Sequence, residues 1–168
     1  AKLQVKLLSP VVKPLYYFHL GYAHMQLFEY EKALHYLLSL KTNHNSPFNL
    51  QAIYYAGYCY YKLKEYDKAL VEFLSLEHIG GYRNIAPYYI VQIHYAMSEY
   101  EKVLERAEKL LIDFPNNEYN DELHRMIGEI YYQDSIYDKA AQHLEEYHTL
   151  RITNKRSIVR NDLFLLGI

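Results

Sequence analysis

The sequence has no tryptophan, one cysteine, six glycines and five prolines among 168 residues. Each scarcity excludes something. The single thiol, Cys59, has no partner for an internal disulfide, and its apolar neighbours mark it as a core residue. With so little glycine and proline, long irregular loops are not expected. No apolar run reaches the ~18 residues that a membrane-crossing helix needs. Gly80-Gly81 is a turn signal and not a phosphate loop, and no serine lies in a nucleophile elbow. Nine histidines are present without His-Glu-x-x-His or a Cys/His zinc spacing. His143 and His148 are five apart and do not share a helix face. These absences lead us to expect a non-enzymatic chain with no cofactor and no metal.

The net charge is only −2, but it is unevenly spread. Residues 1–98 carry nine basic and six acidic side chains, residues 99–146 five and thirteen, and residues 147–168 four and one. The acidic middle block reads first as solvated helix faces, and second as a patch that repels nucleic acid and attracts a basic partner. No basic stripe follows the helices, so nucleic-acid binding is not expected.

What is abundant is apolar surface, at 51% of residues, and tyrosine, at 21 copies. A short stretch, Tyr66-Asp67-Lys68-Ala69-Leu70, recurs as Tyr30-Glu31-Lys32-Ala33-Leu34, Tyr100-Glu101-Lys102-Val103-Leu104 and Tyr137-Asp138-Lys139-Ala140-Ala141. From Ala33 the steps to Ala69, Val103 and Ala140 are 36, 34 and 37, the spacing of a helical repeat array. In each copy the acid falls at a helix N-terminus, where negative charge is favoured, and the lysine is expected to face water. Thirteen residues earlier stands a second marker: Leu20-Gly21, Ala56-Gly57, Ile90-Val91 and Ile127-Gly128. Two small positions at that spacing let a helix A and a helix B touch as an antiparallel hairpin.

This pattern resembles the tetratricopeptide repeat family. The resemblance rests on Tyr17, Leu20, Gly21 and Ala33; on Ile53, Gly57, Tyr60, Ala69 and Phe73; on Ile90 and Pro115; and on Ile127, Gly128, Tyr131 and Ala140. It implies an all-α fold, a right-handed superhelical solenoid of antiparallel helical hairpins. The divisions are a lead-in at 1–13, read as the remnant of a preceding repeat, then repeats at 14–49, 50–83, 84–120 and 121–154. Residues 155–168 are read as the first helix of a fifth repeat, capping the array through Ile158, Leu163 and Leu166. The chain does not begin with Met and ends on Leu166-Gly167-Ile168, a new copy of the second marker, so we read it as part of a longer array. Weak self-association through 155–168 is expected, because a cut array exposes the face its neighbour covers.

The expected helices run to about Leu27, over Glu31–Lys41, from Ser46-Pro47 to about Lys62, to near His78, from Pro87, to Phe114, over Glu118–Gln133 and over Tyr137–Leu150. Pro87 predicts a short helix A in repeat three. There Val91 and Val103 replace the small residues, and Ala107 stands where the other repeats have Leu37, Phe73 and Leu144, a swap that conserves volume. With Gly80-Gly81 before it, this predicts a local change between repeats two and three.

In this family four positions of helix A line a ligand groove. Carried over, they are Leu15, Phe18, Tyr22 and Met25; Gln51, Tyr54, Tyr58 and Tyr61; Ile85, Tyr88, Gln92 and Tyr95; and Glu122, Arg125, Glu129 and Tyr132. Phe18, Tyr22, Met25, Tyr54, Tyr58, Tyr61, Tyr88, Gln92, Tyr95, Arg125 and Tyr132 are the candidate binding residues. Tyr17, Tyr60, Tyr131 and Tyr147 are expected in the core instead. The family's carboxylate clamp is not expected, because its positions hold Phe18, Tyr22, Tyr58, Ile85 and Tyr89. The resemblance therefore implies a scaffold that binds an apolar or aromatic protein segment, without direct membrane insertion. The alternatives are rings packed on one another as core, and a structural spacer or self-assembly module. The tyrosine-rich style resembles bacterial cell-envelope members of the family, which implies a periplasmic setting; a cytoplasmic one is the alternative.

Overall fold

The structure, a computed structural model, describes residues 12–153; the lead-in before Val12 and the expected capping helix at 155–168 lie outside the described residues. The helices are α1 (Val12–Gln26), α2 (Tyr30–Lys41), α3 (Asn49–Lys62), α4 (Tyr66–Leu76), α5 (Ala86–Ala96), α6 (Tyr100–Asp113), α7 (Asn120–Gln133) and α8 (Tyr137–Thr153), with one 3₁₀ turn at Gly80–Tyr82. Among the described residues there is no strand. The chain divides into two compact units after Ala86. The first holds α1–α4 and the 3₁₀ turn; the second holds α5, from Pro87 onward, through α8.

Each recurring five-residue stretch opens a helix B, at Tyr30, Tyr66, Tyr100 and Tyr137. The turn before it is the same in all four hairpins. The N–H of Glu29 donates to the His24 carbonyl, Glu65 to Tyr60, Glu99 to His94 and Ile136 to Tyr131, at 2.8–2.9 Å. The residue just before takes a left-handed backbone: Phe28, Lys64, Ser98 and Ser135, with φ from 59° to 62°. This six-to-one bond after a left-handed residue is a Schellman closure, which satisfies carbonyls the helix end leaves free. The lysines expected to face water are largely exposed but have partners. Lys32 and Lys102 donate back to Glu29 and Glu99 at 2.6 and 2.8 Å, and Lys68 bonds Glu65.

Helix α5 is 11 residues long, against 15, 14 and 14 for α1, α3 and α7, as Pro87 predicted. The start of α3 differs from expectation. Ser46-Pro47 does not open it; the Phe48 N–H donates to Ser46 Oγ at 3.2 Å, and the helix begins at Asn49. The reason lies in the previous helix. Asn49 Nδ2 donates to the Lys41 carbonyl at 2.7 Å, closing the end of α2, so Ser46-Pro47 is taken up in the turn between them. Asn120 repeats the device at α7, donating to the carbonyls of Phe114 and Pro115 at 2.9 Å.

The core of the first unit gathers Met25, Ala33, Leu37, Leu40, Ala52 and Cys59. The second gathers Val91, Val103, Ala107, Leu123, Met126, Ile127 and Ile130. The glycine markers sit at close crossings. A Cβ on Gly21 would stand 2.9 Å from Leu37 Cγ, and one on Gly128 would stand 2.8 Å from Leu144 Cγ. Val91, Val103 and Ala107 are all fully buried in one cluster.

Candidate functional site

In the first unit the candidate face is built from rings on α1 and α3. Phe18 stacks on Phe48 at 4.7 Å and 17°, and lies 5.9 Å from Tyr55. Tyr22 meets Tyr55 edge-on at 5.4 Å. Tyr55 continues to Tyr54 at 5.2 Å, and Tyr54 to Tyr82 on the 3₁₀ turn at 5.7 Å. Tyr54 also touches Phe73 of α4 at 6.0 Å, Tyr58 meets Tyr30 at 6.4 Å, and Tyr61 meets Tyr66 at 6.2 Å. The Lys62 ammonium lies 5.2 Å from the Tyr58 ring centre and 5.7 Å from that of Tyr61, a cation–π arrangement. Burial pushes the Tyr55 and Tyr58 phenols above their ordinary range.

Sequence reasoning missed Tyr55, which joins Tyr22 to Tyr54. Its sign was the unbroken pair Tyr54-Tyr55, whose second ring falls between the family's groove and core positions. Met25 differs from expectation: it is 7% exposed and part of the core cluster, so it offers little surface. Tyr22 remains 39% exposed. Of the tyrosines expected in the core, Tyr131 and Tyr147 are buried, whereas Tyr17 and Tyr60 are half-buried. Their rings lie under Lys13 and Lys68, each ammonium 5.3 Å away, and a solvated cation keeps one ring face near water.

In the second unit the face is polar. Tyr88 stacks on Tyr119 at 4.3 Å and 18°, and Gln92 Nε2 donates to the Tyr88 hydroxyl at 2.9 Å. The Tyr95 hydroxyl donates to the Glu129 carboxylate. Arg125 sits 6.0 Å from the Tyr95 ring, with Nε donating to Glu122 at 3.0 Å and Nη1 to Glu129 at 2.7 Å. Arg151 of α8 extends the network, donating to Asp121 at 3.2 Å and Glu122 at 3.1 Å. Burial, together with its bond to Glu129, pushes the Tyr95 phenol up. Burial pulls Arg125 down, but Glu129 and Glu122 more than reverse this, so its net shift is upward. Tyr132 stands apart, 42% exposed and edge-on to Tyr137 at 5.8 Å.

Burial pushes the Cys59 thiol up to about 12, which disfavours the reactive thiolate. His24 and His94 are packing histidines: their Nδ1 atoms lie 2.6 and 2.5 Å from Glu29 and Glu99, and His24 stacks on Tyr36 at 5.6 Å. Among the described residues no three His, Cys, Asp or Glu side chains are grouped to hold a metal ion, and no helix is long and apolar enough to cross a membrane.

The geometry defines a class, that of proteins built from repeated antiparallel helical hairpins. The tetratricopeptide repeat family model matches residues 51–76, from α3 through α4. Two solved structures share the fold. One is the apo form of RapI, with TM-score 0.73, 20% identity, and coverage of 95% of this chain and 48% of that one. The other is a single-site variant of a Podosopora anserina putative kinesin light chain with nearly identical TPR-like repeats; its TM-score is 0.70, its identity 13%, and the coverage 93% of this chain and 84% of that one. The chain thus spans about half the length of RapI. No curated protein matches the sequence. Residues 51–76 thus match a tetratricopeptide repeat, and the fold is all-α, of the helical-repeat solenoid class.

Proposed function

We propose that this chain is a non-enzymatic scaffold that binds a protein segment on the exposed faces of its A helices. The observation that carries the reading is the ring cluster Phe18, Phe48, Tyr55 and Tyr22, in which one ring keeps an open edge while the others hold it. A tyrosine fixed by its neighbours offers broad apolar contact and a hydroxyl, with little side-chain entropy left to lose on binding. Tyr132, braced by Tyr137, offers the same in the second unit. The preferred segment is apolar or aromatic at Tyr22. The second unit, taken by itself, presents charge at Arg125 and Glu129.

The reading takes four repeats, at 14–49, 50–83, 84–120 and 121–154, and extends to a cell-envelope setting on the tyrosine-rich style of the repeats alone. The second reading is a structural spacer, favoured by the ring-on-ring packing of Tyr54, Tyr58 and Tyr61 within the chain. Affinity capture from source lysate separates the two. Wild type should retain a specific protein that Tyr22→Ala and Tyr132→Ala lose without a change in melting temperature. Capture of the chain alone, or equal retention by both variants, supports the spacer.

A further inference from the structure

His124 of α7 and His143 of α8 bring their Nδ1 atoms to 3.0 Å and their ring centres to 5.1 Å, across the crossing that holds the last hairpin together. Both are half-buried. In the repeat register these positions correspond to Tyr17 and Tyr36, which close the first hairpin as an edge-on ring pair at 5.7 Å. One hairpin is therefore closed by two phenol rings, and the other by two imidazoles, each able to take up a proton. We propose that the His124–His143 pair is an acid-sensitive latch, which holds α8 on α7 while at least one imidazole is neutral and releases it when both are protonated.

The bond explains the logic. With both rings neutral, one Nδ1–H donates to the other Nδ1. With one proton added, the contact still has a donor and an acceptor. With two added, both nitrogens are donors, and two positive charges face each other across 3.0 Å in a half-buried place. The surroundings set the order. Facing His143 are Glu108 from α6, which also accepts the Tyr131 hydroxyl at 3.1 Å, and Lys139 and Glu146 from α8; the Tyr131 ring of α7 lies 6.0 Å away. Burial lowers His143, and Lys139 lowers it further, but two carboxylates favour its charge. His124 has no such support: burial and then His143 push it down to about 4.

The sign follows. A histidine whose folded value is depressed contributes stability that is present above the ordinary value of 6.5, and this is lost as pH falls toward about 4. Release would uncover Leu144 and Ala140, both packed out of water in the closed hairpin.

Hydrogen exchange read by mass spectrometry at pH 7 and pH 5, corrected for the intrinsic pH dependence of exchange, tests this on the whole chain. The open fraction of α7 and α8 should rise on the order of tenfold relative to α1 and α2, from linkage of the depressed histidine alone. In the His124→Tyr/His143→Tyr double variant, which copies the first hairpin's ring pair, that differential rise should vanish. A rise that persists in the variant, or no rise in wild type, overturns the proposal. If the variant does not fold, an NMR titration of the wild-type imidazole protons decides: both rings must titrate below the ordinary histidine range, in two separated steps, and either ring titrating at or above it overturns the latch.

Discussion

Phe28, Lys64, Ser98 and Ser135 hold left-handed backbone at the point where a helix end most often has glycine. A side chain in that region costs about 1–2 kcal/mol per residue, offset in part by the freedom a glycine would lose on folding. Ser98 is exposed, so removing its side chain costs no packing. Ser98→Gly should therefore raise stability by about 0.5–1 kcal/mol, seen as a higher urea midpoint at unchanged slope. Gly128 is the reverse case. A methyl group there would meet Leu144 at 2.8 Å, so Gly128→Ala should cost about 1–3 kcal/mol in the same assay. The marker glycines were visible in the sequence by their period; the left-handed turns were not, because no glycine or asparagine announced them.

The same turns carry a charge effect. Lys32 and then His24 hold the Glu29 carboxyl below its ordinary value of 4.5, and Lys102 and then His94 do so for Glu99. A depressed carboxyl contributes stability above its ordinary value, and this is lost as pH falls through the folded value. Glu99→Gln should accordingly flatten the decline of the wild-type melting temperature below pH 4.5, and leave a smaller difference from wild type there than at pH 7. A parallel pair of curves would remove the turn from the acid response.

At the scale of the helix, the hairpin was legible because its signals are local: an acid in the first turn, a small residue at the crossing, a proline that shortens α5. Ala69 is fully buried on α4, so Ala69→Leu should cost about 1–3 kcal/mol through overpacking, read by thermal denaturation. How one hairpin meets the next was not legible. Asn49 and Asn120 looked like ordinary polar residues near helix starts, yet each donates to the end of the preceding helix B. Asn120 is buried, and its loss leaves the Phe114 and Pro115 carbonyls without that donor. Asn120→Ala should cost about 1–3 kcal/mol, and exchange should rise at the end of α6 before it rises elsewhere.

For the molecule as a whole, the period of 34 to 37 residues and the small positions within it determined an all-α chain of paired helices. Such information survives in sequence because each hairpin forms between residues close in the chain, and each copy repeats the message. Only the tertiary structure decided what the side chains on the A helices do. Met25 went to the core, Tyr22 stayed at the surface, and Tyr55, absent from the expected groove positions, joined Tyr22 to Tyr54. Tyr95, Arg125 and Glu129 met across α5 and α7, and His124 met His143 across α7 and α8. A repeat pattern assigns a side chain to a helix face, but the partner on that face comes from another helix. Whether two rings touch there depends on crossing distances of a few ångströms, which periodicity does not encode.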